Sequence, residues 1–163
     1  MKLWKFWEMD KTEFANSTPE MALILAAGLG SRLRPQTKTP KPLTRVLGLT
    51  LAERVVCTLL DTGIRRFLVA LGHEAETVRG HFSDIAQRRG VTIDFVEAKD
   101  WEQGNGASAL AAKGRTGEAP FFLVMIDHLF DPGIVRALAD DPPAPGEMRL
   151  AIDRDKEDRK SVV

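Results

Sequence analysis

The sequence contains a single cysteine, Cys57, among 163 residues. That scarcity excludes an internal disulfide framework and any cysteine-based zinc site. It suits a reducing compartment, so the cytoplasm is the expected location. Net charge is absent as well, because 23 basic side chains balance 23 acidic ones. Neutralising nucleic-acid phosphates requires an excess of Lys and Arg, so no nucleic-acid partner is expected. No run of 18 apolar residues occurs, which leaves no segment expected to span a bilayer. There is no internal repeat. What remains is an ordinary folded composition, 44% hydrophobic and 28% charged. A chain of this length suits one domain, able to bury roughly 70% of its unfolded surface without a metal or disulfide staple.

The opening Met1-Lys2-Leu3-Trp4-Lys5-Phe6-Trp7 is basic and aromatic. It lacks the apolar stretch and small-residue cleavage site of a secretory signal. Residues 1–20 read as an N-terminal extension. The competing reading is an interfacial anchor at the inner face of the membrane, a boundary that Trp, Phe and Lys suit.

From residue 21 the chain alternates between two patterns. Met21-Ala22-Leu23-Ile24-Leu25-Ala26-Ala27 is continuously apolar and stops at Gly28, as does a strand buried on both faces of a parallel sheet. Thr50 and Glu53 have capping-box spacing and open an amphipathic helix with Val55, Val56, Leu59 and Leu60, ending near Gly63. Residues 66–72 predict a second buried strand. Residues 75–89 predict a helix with Val78, Phe82, Ile85 and Ala86 on one stripe, closed by Gly90. A third strand is predicted over residues 91–96, a helix over 107–113 after Gly104-Asn105-Gly106, and a fourth strand over 121–126 ending at Asp127. Asp131-Pro132 has the form of an N-cap and first helical position, opening a helix through Leu138. Residues 142–146 read as a loop and 148–152 as a fifth strand. Strands alternating with helices at this spacing mean an α/β fold: a three-layer, Rossmann-like, mostly parallel sheet with helices on both faces.

The most informative stretch is Leu25-Ala26-Ala27-Gly28-Leu29-Gly30-Ser31-Arg32-Leu33-Arg34, followed by Pro40-Lys41-Pro42. A strand that runs into two glycines lets the backbone approach a ligand and turn its N–H groups toward an anion. In open α/β sheets such ligands sit beyond the carboxyl ends of strands. Arg32 and Lys41 add positive charge where a triphosphate would lie. A Walker loop needs Gly, four residues, then Gly-Lys-Ser/Thr, which this sequence lacks. A dinucleotide fingerprint needs a small residue where Leu33 stands and an acid ending the second strand, where Leu71-Gly72 stands.

The pattern L-A-A-G-x-G-[ST]-R-[LM] followed by lysine within P-K-P resembles the nucleotidyltransferase superfamily, with its MobA-like, sugar-nucleotidyltransferase fold. Within it the chain is most similar to the CTP:inositol-1-phosphate cytidylyltransferases. The supporting residues are Gly104-Asn105-Gly106-Ala107-Ser108, Met125-Ile126-Asp127-His128 and Ala151-Ile152-Asp153-Arg154. The resemblance covers about residues 21–158, leaving 159–163 as an atypical end. It implies transfer of CMP from CTP to inositol 1-phosphate, with CDP-inositol and pyrophosphate as products. It also implies that Leu25, Ala26, Ala27, Gly28 and Gly30 wrap the nucleotide phosphates. Arg32 would hold the β- and γ-phosphates, and Lys41 would offset charge on the α-phosphate. Gly104 and Asn105 match the family's base and ribose contacts, although an ordinary turn opening a helix explains them nearly as well. Asp127 matches its Mg²⁺-binding aspartate.

The partners implied are CTP and a small phosphorylated alcohol. A membrane CDP-alcohol phosphotransferase, as a domain or a partner, is implied too. The alternatives are a sugar-1-phosphate or phosphocholine nucleotidyltransferase, which shares the first loop, and a nucleotide-binding but inactive module. Family members place a second metal aspartate and most of the acceptor pocket after the fifth strand. CTP–Mg²⁺ binding with weak or absent turnover is therefore expected of these 163 residues.

Other constellations are weaker. His73-Glu74-Ala75-Glu76-Thr77 begins like a zincin helix, but Thr77 stands where the second histidine belongs. His81 is expected to be exposed or partly packed, and Cys57 to be a small core residue. His128 is a weak candidate for orienting a phosphate. Ser31 and Ser108 lack the His/Asp context of acyl transfer. The mixed-sign run over residues 153–160 reads as a solvated segment.

Overall fold

The computed structural model describes residues 19–30, 39–144 and 146–152. Four parallel strands form the central sheet: β1 (Met21–Ala26), β4 (Arg66–Leu71), β5 (Thr92–Glu97) and β6 (Phe122–Met125). Their spatial order is β5-β4-β1-β6. The chain therefore builds to one side of β1 and then returns to its other side. A short antiparallel hairpin, β2 (Arg45–Val46) and β3 (Leu49–Thr50), stands apart from this sheet. The helices are α1 (Leu51–Leu60), α2 (Ala75–Arg89), α3 (Asn105–Leu110) and α4 (Pro132–Asp140). Among the described residues no helix is long and apolar enough to cross a membrane.

The period-two geometry of a strand explains the continuous apolar runs. In β1, Ala22, Ile24 and Ala26 point into the larger core with Val55, Val56, Leu59, Val78, Phe82 and Ile85. Leu23 and Leu25 point the other way, toward Ala109 in α3 and Ala112 just after it. Helices thus cover both faces, as expected, but one face carries far more of the core. The stripe of α2 is confirmed at Val78, Phe82 and Ile85, all fully buried, whereas Ala86 lies at its margin. Gly90 closes α2 in a left-handed conformation, as its position predicts.

Both predicted caps form. The Thr50 hydroxyl accepts from the Glu53 backbone N–H at 3.2 Å, and Asp131 accepts from Gly133. The Glu53 carboxylate, however, does not complete a capping box. It turns to Arg88 and Arg89 at the end of α2, at 2.7 and 2.8 Å.

One predicted element is absent. Residues 148–152 form no strand, and Met148, Leu150 and Ile152 are exposed. The alternation there is real, but the segment makes no ladder with the free edge of β6. A cavity of about 420 Å³ opens instead, lined from both segments by residues that include Phe121, Leu123, Met148 and Leu150. Without backbone pairing, a four- or five-residue alternation cannot hold strand geometry.

The β2–β3 hairpin turns through Leu47 and Gly48, both at positive φ (48° and 87°). Such a turn favours Asn or Gly at its first position, and leucine is strained there. Arg54 secures it by donating to the carbonyls of Val46 and Leu47. Leu47 itself is 92% exposed and packs on nothing that would offset the strain. Leu47→Asn is expected to stabilise the fold by about 0.5–1 kcal/mol, read as a higher urea midpoint with an unchanged slope.

Candidate active site

The carboxyl ends of β1 and β6 adjoin where the strand order reverses, the crevice in which open α/β sheets bind ligands. Leu25, Ala26 and Ala27 are buried as β1 leaves the sheet. Pairing continues one step past the strand, since Ile126 N–H donates to the Leu25 carbonyl at 3.2 Å. Gly28 then emerges exposed, and nothing lies within 4 Å of where its Cβ would sit. Gly30 is constrained twice. Its φ is +65°, and a Cβ there would fall 2.8 Å from the Cβ of Lys41. The loop's second glycine is thus what allows the Lys41 side chain to pack against it.

Lys41 opens a single turn of 3₁₀ helix, Lys41–Leu43, with Pro40 before it and Pro42 buried within it. Its ammonium donates to the Asp127 carboxylate across 86 positions of sequence. Asp127 stands two residues past the end of β6, so the sheet fixes one partner and the proline-flanked turn the other. Burial alone would raise the Asp127 carboxyl, but the hydrogen bond and charge of Lys41 outweigh it and hold the group below its ordinary value. Both side chains remain partly accessible, at 19% and 26%. Among the described residues, one cation and one hard oxygen donor therefore meet beside the glycine loop.

The other sequence candidates divide. Asn105, at the start of α3, is exposed and directs its amide to the Met125 sulfur at 3.8 Å, two positions before Asp127. Gly104 has φ 107° and ψ −174°, a conformation only glycine adopts readily. Arg32 and Ser31 lie outside the described residues, as do residues 1–18 and the run over 153–160. His128 is mostly exposed, with its ring nitrogen 4.0 Å from the Asp127 carboxylate. Ser108 is buried and bonds the Gly104 carbonyl. His81 meets the Thr50 hydroxyl at 2.8 Å, and burial followed by the nearby Arg88 charge pushes its pKa down. Cys57 is only half-buried, at the margin of its stripe rather than in the core, and burial pushes its thiol pKa up.

Two features escaped sequence reasoning. The Lys41–Asp127 pair has no spacing signature, because strand order alone brings its members together. Trp101 is the other. It lies in a 3₁₀ turn, Trp101–Gln103, after β5, and its ring sits 5.7 Å from that of His73. His73 in turn donates its backbone N–H to the Ala27 carbonyl at 2.9 Å. Among the described residues no group of three His, Cys, Asp or Glu side chains could hold a metal alone. The zincin-like start at His73 is accordingly not part of any such cluster.

Comparison with known proteins shows which proteins the chain is similar to. The bifunctional IPC transferase and DIPP synthase of Rubrobacter xylanophilus is 45% identical over 118 residues, covering 72% of this chain and 26% of that protein. The 2-aminoethylphosphonate cytidylyltransferase of Lancefieldella rimae is 34% identical, covering 72% of this chain and 49% of its own. Among solved structures, the inositol-1-phosphate CTP transferase from T. maritima superposes with a TM-score of 0.66 at 29% identity. That match covers 74% of this chain and 49% of the solved one, so the present chain spans about half of that relative's length and a quarter of the Rubrobacter protein's. Residues 22–161 match the MobA-like NTP transferase domain, and the chain belongs to that family.

Proposed function

We propose that this chain carries the nucleotide site of a cytidylyltransferase that transfers CMP from CTP to inositol 1-phosphate, releasing pyrophosphate and CDP-inositol. The observation that carries the reading is the meeting of Lys41 and Asp127 beside the glycine loop. The choice of CTP and inositol phosphate draws on the solved relative whose name states them. In the reaction a phosphate oxygen of inositol 1-phosphate attacks the α-phosphorus of CTP. The bond from that phosphorus to the β-phosphate bridging oxygen breaks, and pyrophosphate leaves with the electron pair. Such transfer is governed by positioning and charge stabilisation. The backbone of Ala26, Ala27, Gly28 and Gly30 receives the phosphates, and Lys41 offsets charge at the α-phosphorus. Arg32 is assigned to the β- and γ-phosphates and their departure, and Gly104 with Asn105 to the base and ribose.

Asp127 fits a Mg²⁺ ion that rides on the nucleotide. It offers one partly accessible hard oxygen donor, and phosphates and waters ordinarily supply the rest of such a shell. When bound, the ion supplies charge neutralisation on the phosphate oxygens. A membrane CDP-alcohol phosphotransferase, as a domain or a partner, would consume the product.

The test is pyrophosphate release with CTP against UTP or GTP, each with inositol 1-phosphate, glucose 1-phosphate, phosphocholine or 2-aminoethylphosphonate. Turnover restricted to CTP with inositol 1-phosphate is expected. Turnover of another acceptor in its place would reassign the substrate within the family. MgCTP binding without any release would identify a nucleotide-binding module. The absence of CTP binding would overturn the reading.

A further inference from the structure

Of the described glycines, Gly72 at the carboxyl end of β4 leaves the least room for a Cβ. A Cβ added at Gly72 would lie 2.6 Å from Trp101 Cγ, 2.7 Å from Trp101 Cδ1 and 2.7 Å from the Ala27 carbonyl oxygen. The gap is too small for a methyl group, so the indole rests against the Gly72 backbone on one side and Ala27 abuts it on the other. The next residue, His73, ties its backbone N–H to that Ala27 carbonyl and sets its ring against the indole. Trp101 is itself anchored from β5. Ala98 N–H donates to the Leu71 carbonyl at 2.7 Å, and Trp101 N–H donates to the Ala98 carbonyl at 3.1 Å. The indole against Gly72 and His73, together with these backbone hydrogen bonds, thus joins the ends of β1, β4 and β5 immediately before Gly28.

We infer that Trp101 is a positioning residue for the nucleotide loop, acting through Gly72 and His73 on Ala27. The proposal rests on the assignment of that loop to CTP phosphates. A backbone that must present several N–H groups to an anion loses affinity when its entry point wanders, because ordering is then added to the cost of binding. Gly72 is the required counterpart. Any side chain there would drive the indole and the Ala27 carbonyl apart.

The clamp is tested in the free protein by amide exchange, and its consequence by nucleotide affinity. In Trp101→Ala, exchange of the His73 amide should rise by about 10-fold or more relative to the Val69 amide in the middle of β4. MgCTP affinity should fall by about 10-fold in parallel, and Trp101→Phe should recover most of both. In a Trp4→Phe, Trp7→Phe background, the emission of Trp101 should shift when MgCTP binds. Gly72→Ala should lose less affinity in the Trp101→Ala background than in the wild type, since half of the clash is then gone. An equal rise at His73 and Val69 would show general destabilisation and overturn the proposal, as would an unchanged MgCTP affinity in Trp101→Ala. Wild-type protein that fails to bind MgCTP would instead defeat the nucleotide assignment, with the exchange result still deciding whether the clamp exists.

Discussion

Asp127→Asn is expected to weaken CTP binding by about 10- to 100-fold when Mg²⁺ is present and to strengthen it several-fold in EDTA. The reversal follows from the pairing of Asp127 with Lys41. Without a metal, the carboxylate repels the triphosphate and occupies the ammonium that would otherwise meet it. With Mg²⁺, the same carboxylate becomes a hard donor that draws the metal–nucleotide complex into the site. Calorimetric titration in the two buffers reads both signs, and weaker binding in both would reduce Asp127 to a support for Lys41. Lys41→Ala should weaken binding in either buffer by about 10-fold or more, because a charge-assisted contact is lost. An unchanged dissociation constant would tell against the loop assignment. Where pyrophosphate release can be followed, both variants should lower it by about 10²- to 10³-fold, the scale for removing one preorganised charge from a transferring group.

Glu53→Gln should be the most destabilising single polar substitution in the fold, at about 2–3 kcal/mol. Its side chain is only 7% exposed and accepts from Arg88 at 2.7 Å and Arg89 at 2.8 Å. Those hydrogen bonds lower its pKa from an ordinary 4.5 to about 2, against the opposing effect of burial. A shift of that size corresponds to a ceiling of about 3 kcal/mol, reduced by the solvent that reaches the two arginines. The folded-state value is depressed, so the contribution is present in full above pH 4.5 and is lost as pH falls through about 2. Denaturant unfolding between pH 7 and pH 2.5 should therefore show a steep acid loss in the wild type and a shallower one in Glu53→Gln. Equal slopes would remove Glu53 from the account. His81 contributes in the same direction, because its lowered pKa favours the neutral ring and acid must charge it.

The elements most legible in the sequence were those with a long period or a capping signal. The α2 boundaries were readable because fifteen residues carry one apolar stripe and end at a glycine that adopts the left-handed conformation. The buried strands were readable because both faces are covered, which leaves an unbroken apolar run. The strand expected over residues 148–152 failed for a matching reason. Alternation specifies which side chains could face a core, but only a neighbouring backbone makes a strand, and among the described residues none pairs with it. The capping box at Thr50 is half made for a similar reason. Local spacing offers Glu53 the helix N-terminus, and two arginines 35 and 36 positions away outcompete it.

The sequence alone determined the fold class, the glycine loop and the chemical types of the residues around it. Those properties depend on local periodicity, on φ restrictions and on which side chains carry charge. Tertiary structure decided which of those residues meet. The return of the chain across β1 sets β6, and with it Asp127, beside Lys41. The approach of β5 to β4 lays Trp101 on Gly72. Strand order is set by how whole helices and strands bury their apolar faces against one another, and no short stretch of residues encodes that.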